Sequence, residues 1–260
     1  MLKKLLKTIL PKSAIKKLIE FKNNNLDGSA LKSYSQEGED MILRRLFEKQ
    51  QSGFYVDVGA HHPKRFSNTY FFYKKGWKGI NIDAMPNSMI PFNRIRPRDI
   101  NIEKPVSDKK QVLTYYAFNE PALNGFSKEL SDERANKNNN YHIIFEKDME
   151  TSTLTEILDN NLSQNQEIDF LSIDVEGLDF MVLKSNNFKK YKPKVILIEI
   201  LGSSLNDIEN NEISKYLKAF DYSIYAKAVN TVIFVSNQFY KVEIQITPTE
   251  VNGQSIQKQV

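Results

Sequence analysis

Acidic residues recur where short apolar runs of this sequence end. Asp57, Asp83, Asp174 and Glu199 each stand near the end of a run that is typical of a buried strand. Ligands of open α/β sheets bind at the carboxyl ends of the parallel strands. Acids at four successive strand ends therefore predict one polar ligand site along a single edge of the sheet.

A glycine turn follows the first of these runs. Phe54–Val58 predicts a strand, Gly59 a sharp turn, residues 67–75 a helix, and Ile80–Asp83 a second strand. Glycine lets a ligand approach the backbone closely, and a helix N-terminus can hold a carboxylate or a phosphate. Asp83 stands where an acid can accept both hydroxyls of a ribose. This stretch predicts half of a nucleotide-cofactor site.

The glycine pattern distinguishes between cofactors. The turn DVGAHHP, residues 57–63, lacks the full G-x-G-x-x-G of a dinucleotide site. A pyrophosphate needs the additional glycines for close approach, whereas the carboxylate and ammonium of an amino acid need less room. The pattern favours S-adenosylmethionine (SAM) over NAD. In that interpretation Asp57 faces the ammonium group and Asp83 the ribose.

Two of the three histidines stand in the same turn. His61, His62, Asp174 and Glu176 are the candidate general bases for removing a proton from an acceptor hydroxyl, and histidine suits neutral pH. Alternatively, His61 caps the following helix or bonds a neighbour. His142, alone on a strand, is predicted to be structural.

Asp174 and Glu176 have two functional interpretations. They orient the acceptor hydroxyl, or they hold a divalent cation together with Glu199 or Asp83, because hard cations prefer carboxylates. A structural interpretation is that Asp174 caps the next helix. Metal dependence stays open, and the predicted catalytic residues are His61, Asp174 and Glu176.

The remaining elements alternate between strands and helices. The predicted strands, besides those above, are 100–106, 111–118, 142–147, 168–174, 195–200, 222–226 and 231–235; the predicted helices are 36–50 with Ser35 as N-cap, 86–96, 153–160, 178–183 and 212–220. Residues 127–140 are strongly polar and predict either a mobile loop or lid beside the site, or a plain surface insertion. This order predicts an α/β sheet with an antiparallel pair at its edge.

Several motifs together resemble the FkbM family of class I SAM-dependent methyltransferases. They are SQEGED (35–40), FYVDVGAHHP (54–63), SNTYFFYKKGWKGINIDA (67–84), VSD (106–108), STL (152–154), IDFLSIDVEGLD (168–179) and VILIEI (195–200). The resemblance spans about residues 34–236. It implies a Rossmann-like, seven-stranded, mostly parallel sheet of order 3-2-1-4-5-7-6, with an antiparallel edge hairpin and helices on both faces. It also implies O-methylation of hydroxyls on glycans or secondary metabolites.

The resemblance, with the strand-end argument, predicts a set of cofactor-binding residues. These are Gln36, Asp40, Asp57, Gly59, Ala60, Asn68, Asp83, Ala84, Val106, Ser107 and Asp174. Many relatives have asparagine and glycine after VDVGA, where this chain has His61, His62 and Pro63. The two histidines are therefore expected to say more about the acceptor than about SAM.

Composition and charge bound the other possibilities. The sequence of 260 residues predicts a helical extension over 1–33, a methyltransferase domain over 34–245 and a polar tail over 246–260. The sequence contains no cysteine, which excludes disulfides, thiolate metal sites and a thiol nucleophile. Residues 1–22 hold seven lysines and one acid, a net charge of +6, and the remainder is −2, so no nucleic-acid partner is expected. No apolar run is long enough to cross a membrane, and no signal peptide is evident.

The basic residues 1–22 alternate with apolar residues at helical spacing. Such a stretch can lie on an anionic membrane surface; alternatively it packs on its own domain or forms a frayed tail. The sequence therefore predicts a cytoplasmic SAM-dependent O-methyltransferase acting on a sugar, glycan or related metabolite, with peripheral contact to the inner membrane face. The rivals are an NAD-type oxidoreductase or nucleotide-sugar enzyme, and a non-catalytic cofactor-binding or scaffold protein in polysaccharide assembly. Oligomeric state stays open.

Overall fold

Seven strands form one sheet in a computed structural model that describes residues 11–26, 30–137 and 140–241. The strands are β1 (Phe54–Val58), β2 (Lys78–Asp83), β3 (Ile100–Glu103), β6 (Phe170–Ile173), β7 (Val195–Glu199), β8 (Tyr222–Ala228) and β9 (Thr231–Ser236), in the order β3-β2-β1-β6-β7-β9-β8. β9 runs antiparallel to both of its neighbours, and the other pairs are parallel. Counted within this sheet alone, the order is the predicted 3-2-1-4-5-7-6.

Helices cover both faces of the sheet because its strands are apolar on both sides. The helices are α1 (Lys12–Asn25), α2 (Glu39–Leu46), α3 (Tyr70–Lys74), α4 (Met89–Ile95), α5 (Lys128–Lys137), α6 (Leu154–Asn161), α7 (Asp179–Lys184), α8 (Leu205–Ile208), α9 (Glu212–Ala219) and α10 (Asn237–Phe239). One core contains Val56 and Ile173 with side chains of α6, α7 and α9. The other contains Tyr55 and Phe170 with side chains of α2, α3 and α10. Successive strand residues thus enter opposite cores.

A separate antiparallel pair stands beside the sheet. It joins β4 (Val112–Phe118) to β5 (Ile143–Glu150), and a 3-10 turn (Pro121–Leu123) and α5 lie between the two strands in the chain. Both strands match predicted ones, although β5 extends beyond the predicted Lys147. Their pairing outside the main sheet was not predicted.

The predicted loop over 127–140 is wrong for most of its length, because residues 128–137 form α5. The segment lacks an apolar face, which is why it resembles a loop, but its residues are mostly good helix formers. Ser127 Oγ accepts a hydrogen bond from the amide of Leu130 at 3.2 Å, which caps the first turn. Glu129 in the first turn and Lys137 in the last suit the helix dipole.

Element bounds differ from the predictions at several ends. α2 begins at Glu39 after Gly38 in a left-handed conformation, so Ser35 is not its N-cap; Ser35 Oγ instead accepts from the amide of Asp40 at 3.1 Å. The third strand ends at Glu103, and Val106 makes only an isolated bridge to Ser152. α8 was not predicted, although Ser204 and Asp207 form a capping box there.

The chain divides into two units between Ser33 and Tyr34. The first contains α1, none of whose residues is buried. The second contains the sheet, the β4–β5 pair and all other helices. No helix in the described ranges is both long and apolar enough to span a bilayer. Predictions for residues 1–10 and for the tail from 246 fall outside the described residues.

Candidate active site

A cleft opens at the carboxyl ends of β1, β2 and β6. Eight predicted site residues line it: Gln36, Gly59, His61, Asp83, Ala84, Val106, Asp174 and Glu176. The structure thus brings these eight residues together at the predicted edge of the sheet.

Gly59 makes the turn after β1. Its φ is +83°, and a Cβ at this position would lie 1.7 Å from the carbonyl oxygen of Asp174. The amides of Gly59 and Ala60 donate to the carbonyl of Ile82 at 2.9 and 3.0 Å. Glycine is required here because the turn combines left-handed backbone with direct contact to the loop after β6.

Asp83 ends β2 and is held by the backbone. Its Oδ2 accepts from the amide of His61 at 2.8 Å, and its Oδ1 accepts from the amide of Met85 at 2.8 Å. Burial raises the pKa of this carboxyl, and the two amide bonds oppose that shift. Each oxygen keeps a lone pair, so the carboxylate can also accept from two vicinal hydroxyls.

His61 lies at the cleft wall in a strained conformation, with φ +53°. Its ring is half-buried and stacks beside Phe66, with ring centroids 6.1 Å apart. Arg65 Nη1 lies 3.4 Å from Nε2 of His61 and 3.2 Å from Oε1 of Glu120. Burial, and then Arg65, lowers the pKa of His61, so the imidazole is neutral at physiological pH and can accept a proton.

Neither histidine caps the following helix, whose N-cap position is Thr69; His61 instead contacts its neighbour Arg65, as the other part of the alternative interpretation expected, and His62 bonds the backbone of the turn. Its Nδ1 accepts from the amides of Lys64 and Arg65 at 3.1 and 2.9 Å. The ring therefore closes the turn after Pro63, and it does not line the cleft. Of the two histidines, only His61 lines the cleft.

The loop after β6 carries Asp174 and Glu176 into the cleft. Glu176 has φ +55° and Gly177 φ +101°. Asp179 fixes the loop, because its two carboxylate oxygens accept from the amides of Val175 and Gly177 at 3.1 and 3.0 Å. Asp174 does not cap the next helix, because the N-cap position of α7 is Leu178 and no side chain caps it; Asp174 lies at the cleft instead.

Carboxylates crowd this side of the cleft. Burial, and then the charges of Glu199, Glu176 and Asp179, raise the pKa of Asp174 well above its usual value. Burial raises the pKa of Glu199 to about 8, and Oε2 of Glu199 is buried without a hydrogen-bond partner in the described structure. Arg134 of α5 contacts Glu176 and also donates to the carbonyl of Leu123 at 3.1 Å.

Asp57 does not line the cleft, contrary to the expectation that it faces the ligand ammonium. It is buried, and its Oδ2 accepts from Thr69 Oγ1 at 2.8 Å. Thr69 Oγ1 in turn accepts from Nη2 of the fully buried Arg96 at 2.9 Å. Asp57 points to the core side because strand residues alternate and its neighbour Val58 enters the other core.

Four further predicted cofactor residues lie outside the cleft wall. Asp40 accepts from the amide of Tyr34 and the hydroxyl of Ser35, both at 3.0 Å, and so holds the loop that carries Gln36. Asn68 donates to Ser172 Oγ at 3.1 Å. Ala60 packs with Met89 and Phe92, and the amide of Ser107 donates to the carbonyl of Ser152 at 3.0 Å. These residues support the site and do not line it.

One wall of the cleft consists of residues that were not predicted from the sequence. Lys104, Tyr115, Asn124 and Phe126 line it from the segment between β3 and α5. Burial, and then the charge of Asp83, raises the pKa of Tyr115. Tyr115 lies in the predicted strand 111–118, but nothing in the sequence indicates that this strand faces the cleft; residues 119–126 carry no regular periodicity.

The metal interpretation gains no support from geometry. In the part of the chain that the structure describes, no group of three His, Asp or Glu side chains is arranged to hold a metal ion. Glu199 does not line the cleft with Asp174 and Glu176.

Comparison with known proteins identifies the family. The model of the Methyltransferase FkbM domain matches residues 57–224. No curated protein matches the chain significantly. Among solved structures, the chain is similar to a TehB-like SAM-dependent methyltransferase from Corynebacterium glutamicum, with 10% identity and a TM-score of 0.37 over 86% of this chain and 100% of that one. On the match to residues 57–224, the chain belongs to the FkbM family of SAM-dependent methyltransferases.

Proposed function

We propose that this chain transfers the methyl group of SAM to a hydroxyl oxygen of a sugar, a glycan or a related metabolite, with His61 as the general base. The observation that carries the proposal is the neutral, half-buried imidazole of His61 in the wall of the cofactor cleft.

The residues of the cleft fit SAM. Asp83 keeps lone pairs for the ribose hydroxyls, and Ile82, Val106, Tyr115 and Phe126 offer apolar surface to a flat base. Gln36 and Asp174 would hold the amino-acid end in the place first assigned to Asp57. When bound, SAM supplies a methyl group already activated by its sulfonium.

The chain's own residues then have two tasks. The first is to hold the acceptor oxygen in line with the methyl group, and Glu176 can do so because Arg134 and the fixed loop restrain its carboxylate. The second is to remove the hydroxyl proton as the new oxygen–carbon bond forms. A ring nitrogen of His61 takes that proton, and the nearby Glu120 carboxylate favours the resulting imidazolium.

His61→Ala tests the proposal directly. Transfer of radiolabelled methyl from SAM to glycan extracts of the host should fall about a hundredfold or more, the scale of general-base catalysis. Calorimetry should show SAM binding retained, because Asp83 accepts from the main-chain amide of His61 and not from its ring. His62→Ala is the matched control for loss of an imidazole in the same turn.

The pH profile adds a second readout. Because its pKa is lowered, His61 should produce an acidic limb of kcat/KM that lies below the usual histidine value of about 6.5. His61→Gln should abolish that limb. Near-normal turnover of His61→Ala, or an unchanged limb in His61→Gln, would refute the assignment of the base.

The non-catalytic rival is separated by the same measurements. A scaffold protein would bind SAM, or fail to bind it at hundreds of micromolar, without methylating any acceptor. Activity that survives EDTA would discard the cation interpretation of Asp174, Glu176 and Glu199.

A further inference from the structure

The helix α1 exposes an apolar row. The exposed fractions of Leu18, Ile19 and Phe21 are 55%, 51% and 59%, and no residue of α1 is buried. Ile15, Leu18 and Ile19 have the i, i+3, i+4 spacing of one helix face, and Leu26 continues it. Within this row Leu18, Ile19 and Leu26 are exposed and Ile15 is half-buried.

Basic residues accompany the row. α1 carries Lys12, Lys16, Lys17 and Lys22 against one acid, Glu20. Only Lys16 lies near that acid, at 3.9 Å, and both side chains are largely exposed. The helix therefore carries a net charge of +3, and the preceding ten residues of the sequence add three more lysines between leucines.

We propose that α1 lies flat on the surface of a membrane that contains anionic lipids. The apolar row enters the boundary between headgroups and acyl chains, and the lysines contact lipid phosphates. At about 1.5 Å per residue, its 14 residues reach roughly 21 Å, too short for a hydrocarbon core of about 30 Å. The helix thus lies in the interface and does not cross it.

Charge and shape favour this partner over others. Two copies of α1 would bring +3 against +3, so self-association through this face is opposed. Nucleic acid would satisfy the lysines but would leave Leu18, Ile19 and Phe21 in water. An anionic bilayer satisfies both features at once. The proposal does not depend on the methyl-transfer reaction.

The test is co-sedimentation of the full chain with vesicles of phosphatidylcholine alone, or of phosphatidylcholine with phosphatidylglycerol. Binding should be at least about tenfold stronger to the anionic vesicles and should weaken as salt rises. Leu18→Gln with Ile19→Gln should lower it at least about tenfold, because two apolar side chains no longer leave water.

Ser13→Gln with Asn24→Gln is the matched control. Both positions are exposed and lie on the opposite face of α1, and neither double substitution changes the charge. Binding of this control should stay within about twofold of the parent, since a neutral exchange in water alters little. Lys12→Gln with Lys16→Gln should weaken binding about tenfold or more, whereas Lys12→Arg with Lys16→Arg should retain it.

Circular dichroism and methyl transfer to a soluble acceptor, expected to be unchanged, show that each variant is folded. Equal binding to neutral and anionic vesicles, no binding to either, or equal loss in the Leu18/Ile19 variant and its control would overturn the proposal. Self-association or nucleic-acid binding that the Leu18/Ile19 variant abolishes, with no vesicle binding by the parent, would overturn it too.

Discussion

The acids beneath β1 and β2 are paired with a cation. Arg96 is fully buried, and its Nε donates to Asp99 Oδ2 at 2.9 Å while its Nη2 donates to the hydroxyls of Tyr55 and Thr69 at 2.8 and 2.9 Å. Thr69 Oγ1 in turn donates a hydrogen bond to Asp57 Oδ2. Asp99, Tyr55, Thr69 and Asp57 are therefore all hydrogen-bonded within one network around the guanidinium group of Arg96.

The acids after β6 and β7 are not compensated in this way. Burial raises the pKa of Asp174, Glu176 and Glu199, and the charge of Glu176 raises the pKa of Asp174 and Glu199 further. Arg134 opposes the shift for Glu176 and Glu199. This cluster adjoins the cleft, whereas the Arg96 network does not.

The two acidic regions differ in what they do for the molecule: the Arg96 network supports the fold, whereas the carboxylates after β6 and β7 adjoin the cleft. A satisfied buried network fixes the strand ends and the turn that follows them. A group of carboxylates held close together costs stability, and such arrangements occur where a ligand or a reaction uses them. The two regions should therefore respond to charge removal with opposite signs.

The largest expected effect is the loss of Arg96. Arg96→Met leaves the buried Asp99 and Asp57 without their cation, and the free energy of unfolding should fall by about 3–5 kcal/mol. Urea denaturation measures it. Arg94→Met, on the exposed side of α4, is the matched control and should stay within about 0.5 kcal/mol of the parent. Equal losses in both variants would show that the network does not support the fold as described.

Gly59 connects the two acidic regions, because it follows Asp57 by two residues and contacts the backbone of Asp174. Gly59→Ala places a Cβ against the carbonyl oxygen of Asp174. We therefore expect the free energy of unfolding to fall by more than about 2 kcal/mol, which exceeds the cost of the backbone conformation alone. We also expect the affinity for SAM to fall at least tenfold. Gly76→Ala isolates that cost, because Gly76 also has a positive φ, +99°, but no atom lies within 4 Å of its Cβ position. It should lose about 1 kcal/mol. Similar losses would contradict the close contact.

Sequence reasoning succeeded where the pattern was periodic or the motif local. The strands around Asp57, Asp83, Asp174 and Glu199 follow from apolar runs, and their order agrees with the expected topology. Gly59 and Asp83 were identified because a turn and a strand end each have a direct physical signature.

It failed where a role depends on partners distant in sequence. Asp57 lies 12 positions from Thr69 and 39 from Arg96, and no local pattern connects them. The burial of Arg96 has no signature in a single sequence, since arginine is usually exposed. α5 was missed because a helix with no apolar face lacks the periodicity that identifies helices.

Asp174→Asn should separate activity from stability. Methyl transfer should fall about a hundredfold or more, because Asp174 is proposed to hold the amino-acid end of SAM and its loss would misplace the methyl group. The unfolding free energy should stay unchanged or rise slightly, because burial and neighbouring acids disfavour a charge at this position and asparagine carries none. Asp179→Asn should instead lower the free energy of unfolding by about 1–2 kcal/mol, because one of the two backbone amides that Asp179 accepts from loses its acceptor. Parallel kinetics and urea titrations measure both. A stability loss in Asp174→Asn as large as that in Asp179→Asn would make Asp174 a structural residue.

The smallest effect is a change in the pH dependence of stability. Because burial raises the pKa of Glu199 to about 8, the folded chain keeps a proton that the unfolded chain has released, so stability falls as pH rises toward 8. One such proton gives a slope of up to about 1.4 kcal/mol per pH unit. Asp179, with a pKa of about 6, changes the stability mainly at lower pH values than Glu199 does. His61 has a lowered pKa, so its titration changes the stability only below the usual histidine range. Between pH 6.5 and 8.5, Glu199→Gln should therefore flatten the dependence, whereas Glu209→Gln, at an exposed position, should keep the parent slope. If parent and Glu199→Gln give superimposable urea midpoints across this range, the proton is not held at the end of β7, and the contrast between the two acidic regions loses its electrostatic basis.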